Sequence, residues 1–143
     1  NAHYNLGNIF RDLGELQEAE LSYRKAIEIK PDLANAHSNL GNILKDIGKL
    51  QEAKVSLIKA IEIKPDYAKA HYSLGIVFNN LNKLDNALTS FKKAIECRMD
   101  RDLCLVAMGM ILLKKNNHIE GVSKIMDGEG AIHFDLKKGL SIS

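Results

Sequence analysis

Long apolar runs, a charge of one sign and paired cysteines are all missing from this 143-residue chain. Without an apolar stretch of about eighteen residues, no transmembrane helix is expected and no membrane role follows. No basic segment leads into an apolar one, so no signal peptide is visible. Twenty Lys and Arg against eighteen Asp and Glu leave a net charge of +2, which gives no reason to expect a nucleic-acid partner. The only basic doublets are Arg24-Lys25, Lys92-Lys93, Lys114-Lys115 and Lys137-Lys138, and each reads as a solvated helix or turn face. Two cysteines, Cys97 and Cys104, have no metal-binding or redox spacing. They fit a reducing, cytoplasmic setting and read as small core residues.

Catalytic signatures are missing too. There is no phosphate-cradling glycine loop, no nucleophile elbow and no supported Cys–His arrangement. Carboxylates such as Glu15, Glu18 and Glu20 read as solvated helix surface. An enzyme is therefore not expected in these residues, and neither a cofactor nor a metal is called for.

What is present is repetition. "AHYNLGNIFRDLG" at Ala2–Gly14 returns as "AHSNLGNILKDIG" at Ala36–Gly48 and as "AHYSLGIVFNNLN" at Ala70–Asn82. The histidines at positions 3, 37 and 71 mark a period of 34 residues. Ala19, Ala53 and Ala87 are in phase, as are Tyr23, Leu57 and Phe91, then Ala26, Ala60 and Ala94. Pro31 and Pro65 share the register, followed by Asp32, Asp66 and Asp100.

Each unit reads as two helices. The first, around Asn35–Ile47, places His37, Leu40, Gly41, Leu44 and Ile47 on one face. Gly48 supplies the left-handed residue that ends it, and Asn82 serves the same purpose in the third unit. The second helix, Leu50–Ile63, carries Ala53, Leu57, Ala60 and Ile61 on one stripe and stops before Pro65. Asp66 is placed to cap the next helix. Gly41 and Ala53 are expected to face each other where the two helices approach closely. One such hairpin cannot bury its apolar face alone, so the units must stack.

A 34-residue period carrying Leu40-Gly41, Leu44, Ala53, Leu57, Ala60 and Pro65 in that order resembles the tetratricopeptide repeat (TPR) family. The first unit has Leu6-Gly7, Phe10, Ala19, Tyr23, Ala26 and Pro31; the third has Leu74-Gly75, Phe78, Ala87, Phe91 and Ala94. His3, His37 and His71 stand where the family often has Trp, and Met99 replaces the proline of the third unit. The resemblance implies an all-α, right-handed solenoid with three clear repeats, at 1–33, 34–67 and 68–101. A degenerate fourth follows at 102–128, where Met108-Gly109, Leu112, Gly121 and Ile125 hold the register. Its helices are expected at Asp102–Lys115 and about Ile119–Met126. The tail, 129–143, alternates Ile132, Phe134 and Leu136, then Leu140 and Ile142, and predicts a β-hairpin or the start of a further domain.

Three histidines in phase invite a metal hypothesis. Equivalent positions in stacked helix layers lie on the order of 10 Å apart, whereas ligands must converge within about 2 Å of one ion. A packing role is expected for them instead, and His118 and His133 have no partners at ligand spacing.

Function is expected on the polar face of the first helices, which such solenoids stack into a concave groove. That face holds Tyr4, Asn5, Asn8 and Arg11 in the first repeat and Asn35, Ser38, Asn39, Asn42 and Lys45 in the second. In the third it holds Lys69, Tyr72, Ser73, Ile76 and Asn79. An asparagine amide both donates and accepts, so it can grip a peptide backbone whatever its side chains. The bland alternative, surface residues of an Asn-rich sequence, stands beside that reading. The resemblance implies a link between Asn5 and Asn39 and the asparagine ladder of O-linked N-acetylglucosamine transferases, interrupted here at Ser73. It also places Tyr4, Asn8, Asn39, Lys69 and Ser73 on the carboxylate clamp of chaperone-binding TPR domains. Two of that clamp's cations are absent, which argues against chaperone-tail recognition.

The expected function is a protein-interaction module that holds an extended peptide or partner helix. One alternative is the substrate-recruiting arm of a larger enzyme, resembling those of bacterial transferases and oxygenases, with a catalytic domain after Ser143. The chain starts at Asn1 inside a repeat, which supports a larger parent. A third reading is self-assembly through the repeat ends or the hairpin.

Overall fold

A computed structural model describes residues 1–115 and the backbone of 133–135 and 139–141. Seven helices lie among the described residues. They are α1 (Ala2–Asp12), α2 (Leu16–Ile29), α3 (Ala34–Ile47), α4 (Leu50–Ile63), α5 (Ala68–Asn80), α6 (Leu84–Glu96) and α7 (Arg101–Lys114). α1, α3 and α5 each pair with the even helix that follows, and each even helix packs on the next odd one. The result is an all-α solenoid. The second helix expected around Ile119–Met126 lies outside the described residues. In the tail, β1 (His133–Asp135) pairs antiparallel with β2 (Gly139–Ser141), Phe134 opposite Leu140. The fold class rests on the helices alone.

The turn inside each repeat depends on one left-handed residue. Gly14, Gly48 and Asn82 take φ of 78°, 92° and 58°. At Gly48 this lets the Lys49 N–H donate to the Leu44 carbonyl at 2.8 Å, closing the helix end. The two helices then meet at the Leu-Gly pair. A Cβ added to Gly41 would lie 2.6 Å from Leu57 Cγ and 3.3 Å from the Ala53 carbonyl oxygen. Leu57 is therefore the main opposing side chain, and Ala53 contributes backbone. Gly7 stands in the same way against Tyr23, and Gly75 against Phe91.

The alanines of the second helices, Ala19, Ala26, Ala53, Ala60, Ala87 and Ala94, are fully buried with Tyr23, Leu57 and Phe91 between them. In α3 the buried surface is wider than the expected stripe, because Ala36 and Ile43 are buried as well. The reason is that α3 packs against α4 on one side and α2 on the other.

The joints between repeats correct one expectation. Lys30 and Lys64 are extended, as the following prolines require. Asp32 and Asp66, however, do not cap. The N-cap residues of α3 and α5 are Leu33 and Tyr67, and no side chain caps either helix. The histidines fasten these joints instead. His37 Nε2 lies 2.8 Å from the Pro31 carbonyl oxygen, and His71 Nε2 lies 2.8 Å from that of Pro65. A carbonyl can only accept, so Nε2 carries the proton in both rings. The third joint is built differently. With Met99 in place of proline, Arg98 turns left-handed, with φ of 71°. The Asp100 carboxylate then caps α7 by accepting from the Leu103 N–H at 2.8 Å.

Glu20 is a second correction, since it is 9% exposed rather than on the helix surface. It accepts from Arg24 Nε at 2.9 Å and from Lys49 Nζ at 3.2 Å, tying α2 to the start of α4. Burial alone would push its carboxyl up. The hydrogen bonds and charges of Arg24 and Lys49 outweigh that and hold it below the ordinary range. Arg24 also reaches Glu52 at 2.7 Å. Cys104 is fully buried, as expected, but Cys97 at the end of α6 is only half-buried, and both are free thiols.

Two predictions follow from this packing. Gly41→Leu forces the α3–α4 pair apart and lowers stability by about 1–3 kcal/mol, measurable in a thermal melt. Glu20→Gln lowers stability by about 1 kcal/mol at neutral pH, because both cations that hold the carboxylate are half-exposed. A depressed carboxyl stabilises the fold above its unfolded pKa and loses that contribution as pH falls through the folded value. Melting curves of wild type and Glu20→Gln should therefore converge as pH drops below about 4.5.

Candidate functional site

The polar residues of α1, α3 and α5 come from the same helical positions one repeat apart, and they sort into three groups. The first is a joined cluster. The Tyr23 hydroxyl donates to Asn8 Oδ1 at 2.8 Å, and Asn39 Nδ2 donates to the same oxygen at 3.1 Å. Asn39 Nδ2 also lies 3.4 Å from the hydroxyls of both Tyr4 and Tyr23. The Tyr4 ring stands 6.0 Å from that of Tyr23. Burial raises the Tyr23 pKa, which keeps its hydroxyl a donor. So Asn8 and Asn39 meet across the α1–α3 boundary already aligned, and Tyr23 orients both.

Tyr23 is a residue the polar-face argument misses, because it belongs to α2 and its ring is core. The signal for it was present: Tyr23 carries a hydroxyl where Leu57 and Phe91 carry none.

The second group is free. The side chains of Asn5, Asn35, Asn42 and Lys69 make no hydrogen bond or ion pair among the described residues. Asn5, Asn35 and Lys69 are exposed, and Asn42 is half-exposed. The other cations are engaged. Arg11 pairs with Asp12 at 2.9 Å, and Lys45 with Asp46 at 3.4 Å. Asn79 Oδ1 accepts from Lys114 Nζ at 2.8 Å, which bridges α5 to α7.

The third group does not line an open surface. Ser38 is 2% exposed and Ser73 is 7% exposed. They are corrected from groove residues to interhelix residues. Ser38 lies at the α3–α5 joint near Tyr67. Tyr72 and Ile76 keep part of their surface open while packing on the core around Phe91 and Cys104, with the Tyr72 ring edge-on to Phe91 at 5.4 Å. The same face continues onto α7, where Leu103, Val106 and Met110 are exposed in phase with Lys69, Tyr72 and Ile76. The face therefore runs from amides to apolar side chains. Among the described residues no group of three or more His, Cys, Asp or Glu is placed to hold a metal ion. No described helix is long and apolar enough to cross a membrane.

Paired helices at a 34-residue period, a glycine seat in each pair and a first-helix polar face define a helical repeat protein built to present a surface to other proteins. A family profile described as TPR repeat matches residues 7–48 and 41–82, and one described as tetratricopeptide repeat matches 68–97. The chain belongs to the TPR family, whose repeats form protein–protein interaction modules. No curated protein sequence matches it.

Solved structures agree on the fold. A crystal structure of MamA superposes with a TM-score of 0.82 at 26% identity, covering 89% of this chain and 76% of that one. MamA from Desulfovibrio magneticus RS-1, residues 41 to the end, gives 0.79 at 23% identity, covering 89% and 73%. The first TPR of Spaghetti (RPAP3), bound to the HSP90 peptide SRMEEVD, gives 0.78 at 19% identity, covering 80% and 91%.

Proposed function

We propose that the chain binds an extended peptide or partner helix along the face formed by its first helices. The observation that carries this reading is the division of labour among the amides. Asn8 and Asn39 are fixed in place by Tyr23, while the side-chain amides of Asn5, Asn35 and Asn42 are unused among the described residues. Fixed amides cost less entropy when a backbone docks on them, and the free ones supply both halves of each peptide group. Lys69 adds a cation with no counter-ion among the described residues. The RPAP3 TPR bound to an HSP90 peptide supports peptide binding by this fold, though Tyr4 and Ser73 stand where a chaperone-tail clamp needs cations. We read α7 as the first helix of a fourth, degenerate repeat that extends the groove with apolar surface. Two free cysteines and a structure without a membrane-spanning helix among its described residues accord with a cytoplasmic setting. Screening a random peptide library against the chain tests the proposal. Binders should lose about fivefold in affinity in Asn42→Ala or Lys69→Ala, with the melting temperature unchanged. Binders indifferent to both substitutions would sink it.

A further inference from the structure

On the side of the solenoid built by the second helices, a cavity of about 550 Å³ opens between α2 and α4. Its walls are Ile27 on α2 and Val55 and Ile58 on α4, with Leu40 and His37 of α3 in the floor. Val55 is 64% exposed and Ile58 is 38% exposed. Neither belongs to the core, and a β-branched residue on an open helix face lowers helix propensity slightly. The apolar wall is particular to this joint. One repeat later, Thr89 and Lys92 occupy the positions of Val55 and Ile58, so the fold does not require apolar residues there.

The two ends of the groove differ in charge. At one end Arg24 of α2 and Glu52 of α4 bridge across it at 2.7 Å, and their charges cancel. The other end lies toward the C-termini of both helices. Glu28 and Glu62 stand there, in last turns that contain no basic residue. Glu62 is paired with Lys59 at 3.3 Å, while Glu28 has no partner among the described residues. Two helix C-termini add the negative ends of their dipoles. The nearest cations past these ends are Lys30 and Lys64, and Lys64 is drawn over the Tyr67 ring at 5.1 Å.

We propose that this groove docks an amphipathic helix of a protein partner, with an apolar stripe against Ile27, Val55 and Ile58 and a Lys or Arg reaching Glu28. Two near-parallel helices leave a furrow that takes the side-chain ridge of a third. The volume lies in the range of specific binding pockets, which are mostly apolar with a few placed polar groups. Charge complementarity at the open end sets the polarity of the bound helix. This surface is separate from the peptide-binding face, so the two fail independently.

The test uses a soluble model helix of about 18 residues, long enough to hold helical structure. It carries leucines at i, i+3, i+4 and i+7 and two lysines at one end, and is titrated into isotope-labelled chain by NMR. Shifts confined to Ile27, Glu28, Val55 and Ile58 are expected. Val55→Thr with Ile58→Lys, residues the third repeat already tolerates, should abolish them without lowering the melting temperature. Glu28→Gln, or a peptide ending in glutamates, should weaken binding severalfold. Three results overturn the proposal: no shifts at millimolar peptide, shifts at Asn42 and Lys69 instead, or equal binding by the glutamate-ended peptide.

Discussion

The closeness of two helices at the Leu-Gly pair is the constraint on which this structure depends. Glycine at 7, 41 and 75 leaves room for a single large side chain, Tyr23, Leu57 or Phe91, to lie against the neighbouring backbone. Alanines one turn to either side keep the approach close. Because that side chain is buried completely, each hairpin has one packing geometry. A regular hairpin then stacks regularly, and the array follows from a local steric condition repeated every 34 residues.

Joints between hairpins draw on different chemistry. Proline ends the second helix and leaves its carbonyl pointing at the next repeat, where a histidine donates to it. This gives the histidines a structural task that needs no metal and explains their in-phase spacing. The third joint has Met99, so the chain turns through Arg98 instead and α7 needs its own cap, Asp100. Glu20, Arg24, Lys49 and Glu52 add an ion network between the first and second repeats. That network also closes one end of the α2–α4 groove, so a stabilising contact and a candidate docking surface share residues.

Much of the fold was legible in the sequence. Period, turn glycine and proline stop place α3 and α4 nearly to the residue, since each signal acts within a few residues of itself. The candidate site was only partly legible. Helical phase puts Asn8, Asn39 and Ser38 on one polar surface, but phase cannot say how deep each position lies. Ser38 sinks into the α3–α5 joint, while Asn42, four residues on, stays half-open. Nor could phase reveal that Tyr23, on a different helix, sends its hydroxyl through to Asn8.

By itself the sequence determined the family, the helix pairs and the identity of the residues that seat them, because these depend on short-range sterics and on an exact period. Tertiary structure alone decided which polar groups are spent and which are free. It joined Asn8, Asn39 and Tyr23, drew Glu20 inward and left the side chains of Asn42, Lys69 and Glu28 without partners among the described residues. Those outcomes depend on distances between helices, with partners 15 to 35 residues apart in the chain, where the competition between burial and hydrogen bonding is settled only after the helices have packed.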